Sequence, residues 1–598
     1  MTSASGRGHR PIRVGNCSGF YGDRASAMAD LAEAGGIDVL TGDYLAEVTM
    51  LILGKARAKD STKGYAATFL QHLDAALEHL VANGIRLVVN AGGLNPAGLA
   101  VATRELIARH GHDLRVSHIG GDDVFGCLDA LQQAGCSLPH LTSGEPLSSW
   151  SHQPLTANAY LGGFGIARAL DNGADIVITG RVADASLVVG PAAWWWSWTP
   201  GDYDALAGAV CAGHVIECGP QATGGNFSGF RAIADLVQPG FPIAEIAADG
   251  SSVITKNPGT GGAVTQDTVT AQLLYEIGEP AYLNPDVITH LDTATLTGLG
   301  DDRVEISGVR GSAPPATTKV AITGVGGWAN SLILALTGPD LDAKAALVEQ
   351  AVNHYNQSVN GIDAVAIDRI GKAQHDPDSQ NAGTELLKIT VQGTEQAAGR
   401  AFSSRMVELA LSSYPGLYSL GPPQPGSVFG VYWPALLDHA VLEHTVHHHD
   451  GTTEIVAPGN PPGAAGEATP QAGPSFAQSV EVPWTDELVV VPLGEIVYAR
   501  SGDKGGDANL GVWVRDREAW EWLRSTLTVD ELRRLLPETR ELGISRYELP
   551  NLGAVNFVLR GLLGTGATST LRLDAQAKAL GEWLRSRSTK VPRSLVKT

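Results

Sequence analysis

The chain has 598 residues, of which 43% are hydrophobic and 18% charged, and its formal net charge is -21. That length is more than one core supports, so two or more domains are expected. The acidic balance argues against nucleic acid or an anionic membrane as partner, because both select basic surfaces; an anionic small molecule needs only local cations.

Residues 1–11 are polar and lack the apolar stretch of a secretory signal. No run of about 18 apolar residues occurs, so no membrane span is expected. Cys17, Cys127, Cys136, Cys211 and Cys218 are few and odd in number, which suits a reduced cytoplasm. No CxxC pair is present, so neither a structural zinc site nor any other metal site is expected.

An apolar run at 12–14 leads into Gly15-Asn16-Cys17-Ser18-Gly19-Phe20-Tyr21-Gly22-Asp23-Arg24, and a helical run follows at 25–33. Residues 37–40 read as a strand, ahead of Thr41-Gly42-Asp43-Tyr44-Leu45-Ala46-Glu47. Residues 61–82 read as a helix, and 85–89 as a strand ahead of Asn90-Ala91-Gly92-Gly93-Leu94-Asn95-Pro96. A helix at 99–109 and a strand at 114–119 lead to Gly120-Gly121-Asp122-Asp123. A helix at 157–171 and a strand at 174–178 lead to Thr179-Gly180-Arg181-Val182-Ala183-Asp184. Such alternation predicts an α/β class with a mainly parallel, doubly wound, Rossmann-like sheet. The strand C-termini of a parallel sheet share one edge, so these glycine-flanked polar clusters should converge on one site.

Residues 212–287 are richer in glycine, with a helical run at 268–277. Two strands are expected within 304–322, and helices at 341–355 and 405–412. Trp194, Trp195, Trp196 and Trp198 read as a core or interface plug, from which a homo-oligomer is expected. Residues 451–481, dense in Gly, Pro, Ala and Thr, read as a linker between a core domain at 10–450 and a small α+β domain at 482–598. In that last domain, strands at 495–499 and 510–515 flank a polar loop at 500–509; two more strands and two helices follow.

No GxxxxGK[ST] and no clean GxGxxG occurs, so phosphoryl and hydride transfer are not expected. The tract His439, His444, His447, His448 and His449 reads as a solvated strand rather than a metal site. Asp43, Asp122 and Glu217 are candidates for proton transfer, with Glu47 and Asp123 nearby; capping of helices is the competing role for Asp122 or Asp123. Arg181 either holds a substrate carboxylate or phosphate, or pairs with Asp184 to brace its loop. Asn16, Ser18, Asp23, Asn90, Asn95 and Asn226 are candidates for positioning a ligand. Lys256 with Thr260 offers a cation and backbone N–H groups to an oxyanion, or forms a plain turn. Read as a strand, residues 213–219 put Glu217 and Cys218 on opposite faces, and Cys218 reads as a buried thiol. Cys17 or Ser18 would serve a hydrolase, although no GxSxG elbow supports it. Arg500, Ser501, Asp503, Lys504 and Asn509 place more functional groups in one loop than a turn needs, so this loop is expected to close over the core-domain site.

Together, the motifs at 15–24, 41–47, 90–96, 179–185, 213–219, 256–262 and 500–509 resemble the acyclic terpene utilisation AtuA family, and the resemblance covers nearly the whole chain. It implies a ferredoxin fold for the C-terminal domain. It also implies a role in the catabolism of branched terpenoid acids carried as CoA thioesters, beside a biotin-dependent carboxylase. The family brings no assigned reaction and no assigned catalytic residue, so function rests on the site.

The resulting expectation is a cytoplasmic lyase, a hydratase or carbon–carbon lyase, acting on a branched or unsaturated acyl-CoA or related carboxylic acid. CoA would enter as part of the substrate, and no separate cofactor is expected. The alternatives are a thioester, ester or amide hydrolase and a non-catalytic subunit of an acyl-CoA carboxylase or lyase complex.

Overall fold

The computed structural model of the chain describes residues 6–457 and 486–597. Most of the expected linker therefore lies outside the described residues.

Five parallel strands form the centre of the first sheet: β1 (Ile12–Asn16), β2 (Val39–Gly42), β3 (Arg86–Val89), β4 (Val116–Gly120) and, after β5 (Pro154–Ala159) has joined a different sheet, β6 (Ile176–Thr179). Their order across the sheet is β1-β2-β3-β6-β4. Helices α1 (Ala27–Ala34), α2 (Glu47–Lys59), α3 (Thr68–Asn83) and α4 (Pro96–Arg109) lie between the early strands. Then come α5 (Leu128–Gln133), α6 (Phe164–Asp171), α7 (Ser186–Trp196) and α8 (Tyr203–Ile216). Alternate strand residues enter opposite cores. Val39 and Val177 pack with α6, α7 and α8, whereas Leu40 and Ile176 pack with α1, α3 and α4. Both faces are thus covered, as near-continuous apolar strands require.

The sheet is mixed rather than mainly parallel. On one side β1 pairs antiparallel with β7 (Pro242–Ile246), which pairs antiparallel with β8 (Ser252–Lys256). The five residues between β7 and β8 are too few for a crossover helix, so the chain turns back as a hairpin. Beyond α9 (Gln266–Leu273), β9 (Ala281–Leu283) and β10 (Ile288–His290), strands β11 (Thr295–Gly300) and β12 (Arg303–Ser307) complete that edge; β9 and β10 make a small sheet with β13 (Arg310–Ser312).

The next sheet is built on β14 (Thr317–Thr337), a strand of 21 residues. Its first half pairs with β5, its second half with β16 (Thr384–Gly393), and β16 pairs with β15 (Ile362–Ile370). The short β17 (Tyr418–Ser419) also joins β14, as does β18 (Ser427–Asp438). Helices α10 (Leu341–Ser358), α11 (Glu395–Ala398) and α12 (Arg400–Ser412) cover it. Strands β19 (Thr445–His447) and β20 (Thr453–Ile455) return to the first sheet and extend it past β4.

Residues 486–597 form a four-stranded antiparallel sheet of β22 (Val497–Lys504), β23 (Asp507–Val514), β25 (Ala554–Leu559) and β24 (Ile544–Leu549), with β21 (Leu488–Pro492) paired to β26 (Ser588–Pro592). Helices α13 (Trp520–Thr526), α14 (Val529–Leu535) and α15 (Leu580–Ser586) pack on it.

Several sequence expectations change. Residues 154–159, expected in part as helix, are strand β5, and Gly162 and Gly163 delay the helix to Phe164. The histidine tract is not a solvated strand: its centre is β19, the His447 ring stacks on His118 at 4.5 Å, and His448 is buried. Trp194 and Trp195 are buried in the core, whereas Trp196 and Trp198 are half-buried, with their indole N–H groups on the carbonyls of Ile246 and Ala248. The polar segment 500–509 is no loop. It runs through β22 and β23 with only Gly505 and Gly506 as turn. Arg500, Ser501, Asp507 and Asn509 are buried against the rest of the protein while Lys504 stays exposed, and so many polar groups together resemble a loop in sequence.

Candidate active site

The ends of the five parallel strands bring together Asn16, Asp43, Asn90, Asp122 and Arg181. Asn90 fixes the turn after β2: its Nδ2 donates to Asp43 Oδ1 at 2.6 Å, and its Oδ1 accepts the Tyr44 N–H at 2.7 Å. Asn16 Nδ2 donates to the carbonyls of Ile216 and Glu217 at 2.7 and 2.9 Å, so it holds the end of α8 against β1. Ser18 Oγ bonds to the carbonyls of Phe20 and Asp43. These three residues position the site's backbone; their polar groups are occupied.

The side chains that face the recess carry charge. Arg181 pairs with Asp184 at 2.8 Å and bonds to the Leu45 carbonyl at 3.1 Å. Its guanidinium lies 4.1 Å from the centre of the Tyr160 ring, and Lys319 of β14 lies 5.0 Å from the same ring. Lys319 also pairs with Glu47, at the start of α2, at 3.5 Å, and its amine lies 5.4 Å from the centre of the Tyr432 ring of β18. Glu217 sits 3.2 Å from His214, one helical turn away on α8, and the His214 ring is 5.0 Å from Tyr282. Because residues 203–216 are helix rather than strand, His214 and Glu217 share a face.

Residues from the C-terminal part complete the walls. Lys504, at the end of β22, donates to the Glu276 carbonyl at 3.1 Å. Lys578 lies 3.5 Å from Glu276 and 3.8 Å from Asp503, and contacts the Tyr275 hydroxyl. The Tyr275 ring carries Arg500 at 4.2 Å and Lys578 at 4.5 Å, an arrangement parallel to that of Tyr160 with Arg181 and Lys319. Each such cation gains from the ring quadrupole.

The recess is partly open. Side chains of Glu47, Asp184, Lys319, Lys578 and Glu276 keep 31, 33, 35, 37 and 39% of their surface. Yet burial is the largest influence on the protonation of Glu47, Lys319, Lys578 and Glu276, as it would be for groups lining a walled chamber.

Burial, with repulsion from Asp184, raises Asp43 and Glu217 well above the usual carboxyl range; Arg181 opposes both shifts. Burial and the charges of Asp503, Glu217 and Glu47 do the same to Glu276. Asp503 is pushed up to about 7 by burial and by Glu47. Glu47 is the exception: burial would raise it, but Lys319 and Arg181 outweigh that and hold it below its usual value. Burial also lowers His214, to about 4, and Lys504 beside Lys319. The site therefore contains carboxyls able to carry a proton near neutrality, close to cations able to hold an anion.

Other candidates take structural places. Asp122 is buried, accepts from Asn158 Nδ2 and the Arg181 N–H at 2.8 Å each, and supports the Arg181 turn from behind. Asn95 caps α4 through the Gly98 N–H. Asp23 accepts from its own turn, from the N–H groups of Gly19 and Arg24. Lys256 is committed to the Thr260 carbonyl at 2.7 Å and to Asp302 at 2.9 Å, so this pair closes a turn. Asn226 is exposed and offers its carbonyl to Arg500. Ser501 bonds within the C-terminal part, to the Ala577 carbonyl at 2.6 Å. Asn509 docks that part: it donates to the Leu274 carbonyl and accepts the Glu276 N–H. Cys17 lies in the apolar core, and burial raises its thiol well above the usual range, against any role as thiolate.

Glu276, Lys319, Lys578, Tyr160, Tyr275, Tyr282 and Tyr432 were not singled out in sequence. They stand alone among apolar or ordinary residues, and only the left-handed backbone of Glu276 (φ 56) marks one of them locally. Among the described residues, no group of three or more His, Cys, Asp or Glu is arranged to hold a metal ion, and no helix is long and apolar enough to cross a membrane.

A search among curated proteins returned no match. The profile described as AtuA ferredoxin-like domain matches residues 491–590, in keeping with the expected C-terminal fold. The profile described as acyclic terpene utilisation family protein AtuA matches residues 12–448, and these two matches, spanning every residue of the recess, show that the chain belongs to the acyclic terpene utilisation family AtuA.

Proposed function

We propose that the recess is the active site of a lyase, a hydratase or carbon–carbon lyase, acting in acyclic terpene breakdown on a branched or unsaturated carboxylic acid or its CoA thioester. One observation carries this reading: protonatable carboxyls and fixed cations share one walled recess. Addition of water or cleavage next to a carbonyl needs one group to move a proton and another to hold the developing oxyanion. Asp503, pushed up to about 7, and Glu217, raised well above the usual carboxyl range, suit the first task, because each holds a proton where an ordinary carboxyl has lost it. Arg181, Lys319 and Lys504 suit the second. They are held by Asp184, Glu47 and the Glu276 carbonyl, so their charge is already oriented. Five free cysteines support a cytoplasmic setting.

The hydrolase reading lacks a nucleophile. Cys17 is a core thiol and Ser18 Oγ is tied to two carbonyls.

The test is a panel of branched and unsaturated acids and their CoA thioesters, incubated with the full chain in deuterated water and read by mass spectrometry. Deuterium uptake or product is expected with at least one member, and Arg181→Met should lower the rate by about 100-fold or more. No uptake and no product across the panel would overturn the proposal and favour a non-catalytic subunit.

A further inference from the structure

Lys578 stands in an unusual setting. Ala577, just before it, is fully buried and has a left-handed backbone (φ 52). Its carbonyl is fastened by Ser501 Oγ at 2.6 Å, and Asp574 accepts the N–H groups of Lys578 and Ala579 at 2.9 and 2.8 Å. Across the recess Glu276 is also left-handed, with its N–H on Asn509 at 2.8 Å and its carbonyl on Lys504. Two strained residues from separate parts of the chain thus set the Lys578 amine 3.5 Å from the Glu276 carboxyl. Strain of this kind costs about 1–3 kcal/mol per residue and collects where geometry matters for function. An ordinary ion pair between two long side chains needs no such bracing.

The surroundings specify a chemistry. The amine touches the Tyr275 hydroxyl and keeps 37% of its side-chain surface toward the recess. On the same ring, Arg500 keeps its Nε–H buried without an acceptor. We propose that Lys578 is an amine nucleophile that condenses with the oxo group of an oxo carboxylic acid, whose carboxylate takes the exposed Lys504 ammonium. Burial lowers Lys578 while raising Glu276 and Asp503, so the shared proton is shifted toward the carboxyls.

The lone pair of Nζ adds to the oxo carbon, and the carbonyl π pair moves to oxygen, which takes the Glu276 proton. The adduct nitrogen returns one of its two protons to the Glu276 carboxylate and so regains its lone pair. The hydroxyl then takes that proton from Glu276 and leaves with the C–O electron pair as water, while the nitrogen lone pair closes C=N. The net change is amine, oxo acid and Glu276 carboxyl to protonated imine, water and Glu276 carboxylate. This deepens the proposed lyase, since an imine accepts the electron pair of an adjacent breaking carbon–carbon bond, and it rests on reading the recess as the ligand site.

The test treats the full chain with glyoxylate and cyanoborohydride at neutral pH and maps the reduced adduct by peptide mass spectrometry. A lowered amine has more of its free base at neutral pH, so Lys578 is expected to label faster than exposed Lys59 and Lys590. Lys578→Arg should remove that adduct, and Ser501→Ala should slow it. Labelling of Lys578 no faster than of the surface lysines would overturn the proposal. Because trapping reads the amine and the deuterium panel reads turnover, a protein active on acids without an oxo group yet unlabelled at Lys578 keeps the first reading and loses this one.

Discussion

Asn509→Ala tests whether the C-terminal part is locked to the rest of the protein by a few buried polar contacts. Asn509 is fully buried. Its Nδ2 donates to the Leu274 carbonyl at 3.0 Å and to Asn556 Oδ1 at 2.6 Å, and its Oδ1 accepts the Glu276 N–H at 2.8 Å. Alanine removes all three bonds, but only those to Leu274 and Glu276 cross the junction; the one to Asn556 lies within the C-terminal part and does not depend on docking. At about 1 kcal/mol net for each crossing bond, with more for an orphaned buried donor, the docked form loses about 2–4 kcal/mol. At about 1.4 kcal/mol per tenfold, the equilibrium between docked and undocked forms shifts by at least about 30-fold. Trp513 reports the event, because its indole N–H donates to Asp267 across the junction at 3.0 Å. Urea titration followed by tryptophan fluorescence should show a new transition at lower denaturant in the variant, with the core transition little changed. A shift worth less than about 0.5 kcal/mol would refute the reasoning, because it would mean that the two crossing bonds form equally well with water in the undocked protein.

Two further outcomes follow from burial. The Asp122 carboxyl is raised to about 7 by burial, against the Arg181 N–H and Asn158 that lower it. A raised carboxyl destabilises the fold progressively as pH climbs from the unfolded value, near 4, to the folded one, near 7. Asp122→Asn can accept the same two bonds without a charge, so its stability relative to the unmodified chain should rise across that interval, by up to about 4 kcal/mol, and level off above it. A difference independent of pH in urea midpoints would contradict this. Cys17 should resist iodoacetamide at pH 8 in the native protein while exposed Cys127 reacts, as peptide mapping would show; equal rates would restore Cys17 as a reactive thiol.

The central sheet was legible because buried parallel strands are apolar runs followed by glycine-flanked polar turns, as at residues 86–96 and 176–184. The antiparallel edges were not, because what distinguishes β7 and β8 from another βαβ unit is the length of one connection. Asp43, Arg181 and Glu217 could be found from their motifs. Lys319 could not: it is the one charged residue of β14, with no glycine-flanked polar cluster around it, and its partners Glu47, Tyr160 and Tyr432 come from distant parts of the chain. Conversely, Asn509 looked like a ligand-binding residue because a buried amide that docks one surface on another has the same residue type as one that orients a ligand.

The apolar core around α7 and α8 continues without a break into Trp513, Leu549, Leu552 and Ala554 of the C-terminal part. Where the C-terminal part meets the rest, Gly502 and Gly511 let the two backbones approach so closely that a methyl group on either would strike Tyr275 or Leu274. These contacts among the described residues are cohesive in themselves. Expressed as two polypeptides, residues 1–457 and 486–598 should therefore assemble into one two-piece particle with the recess intact.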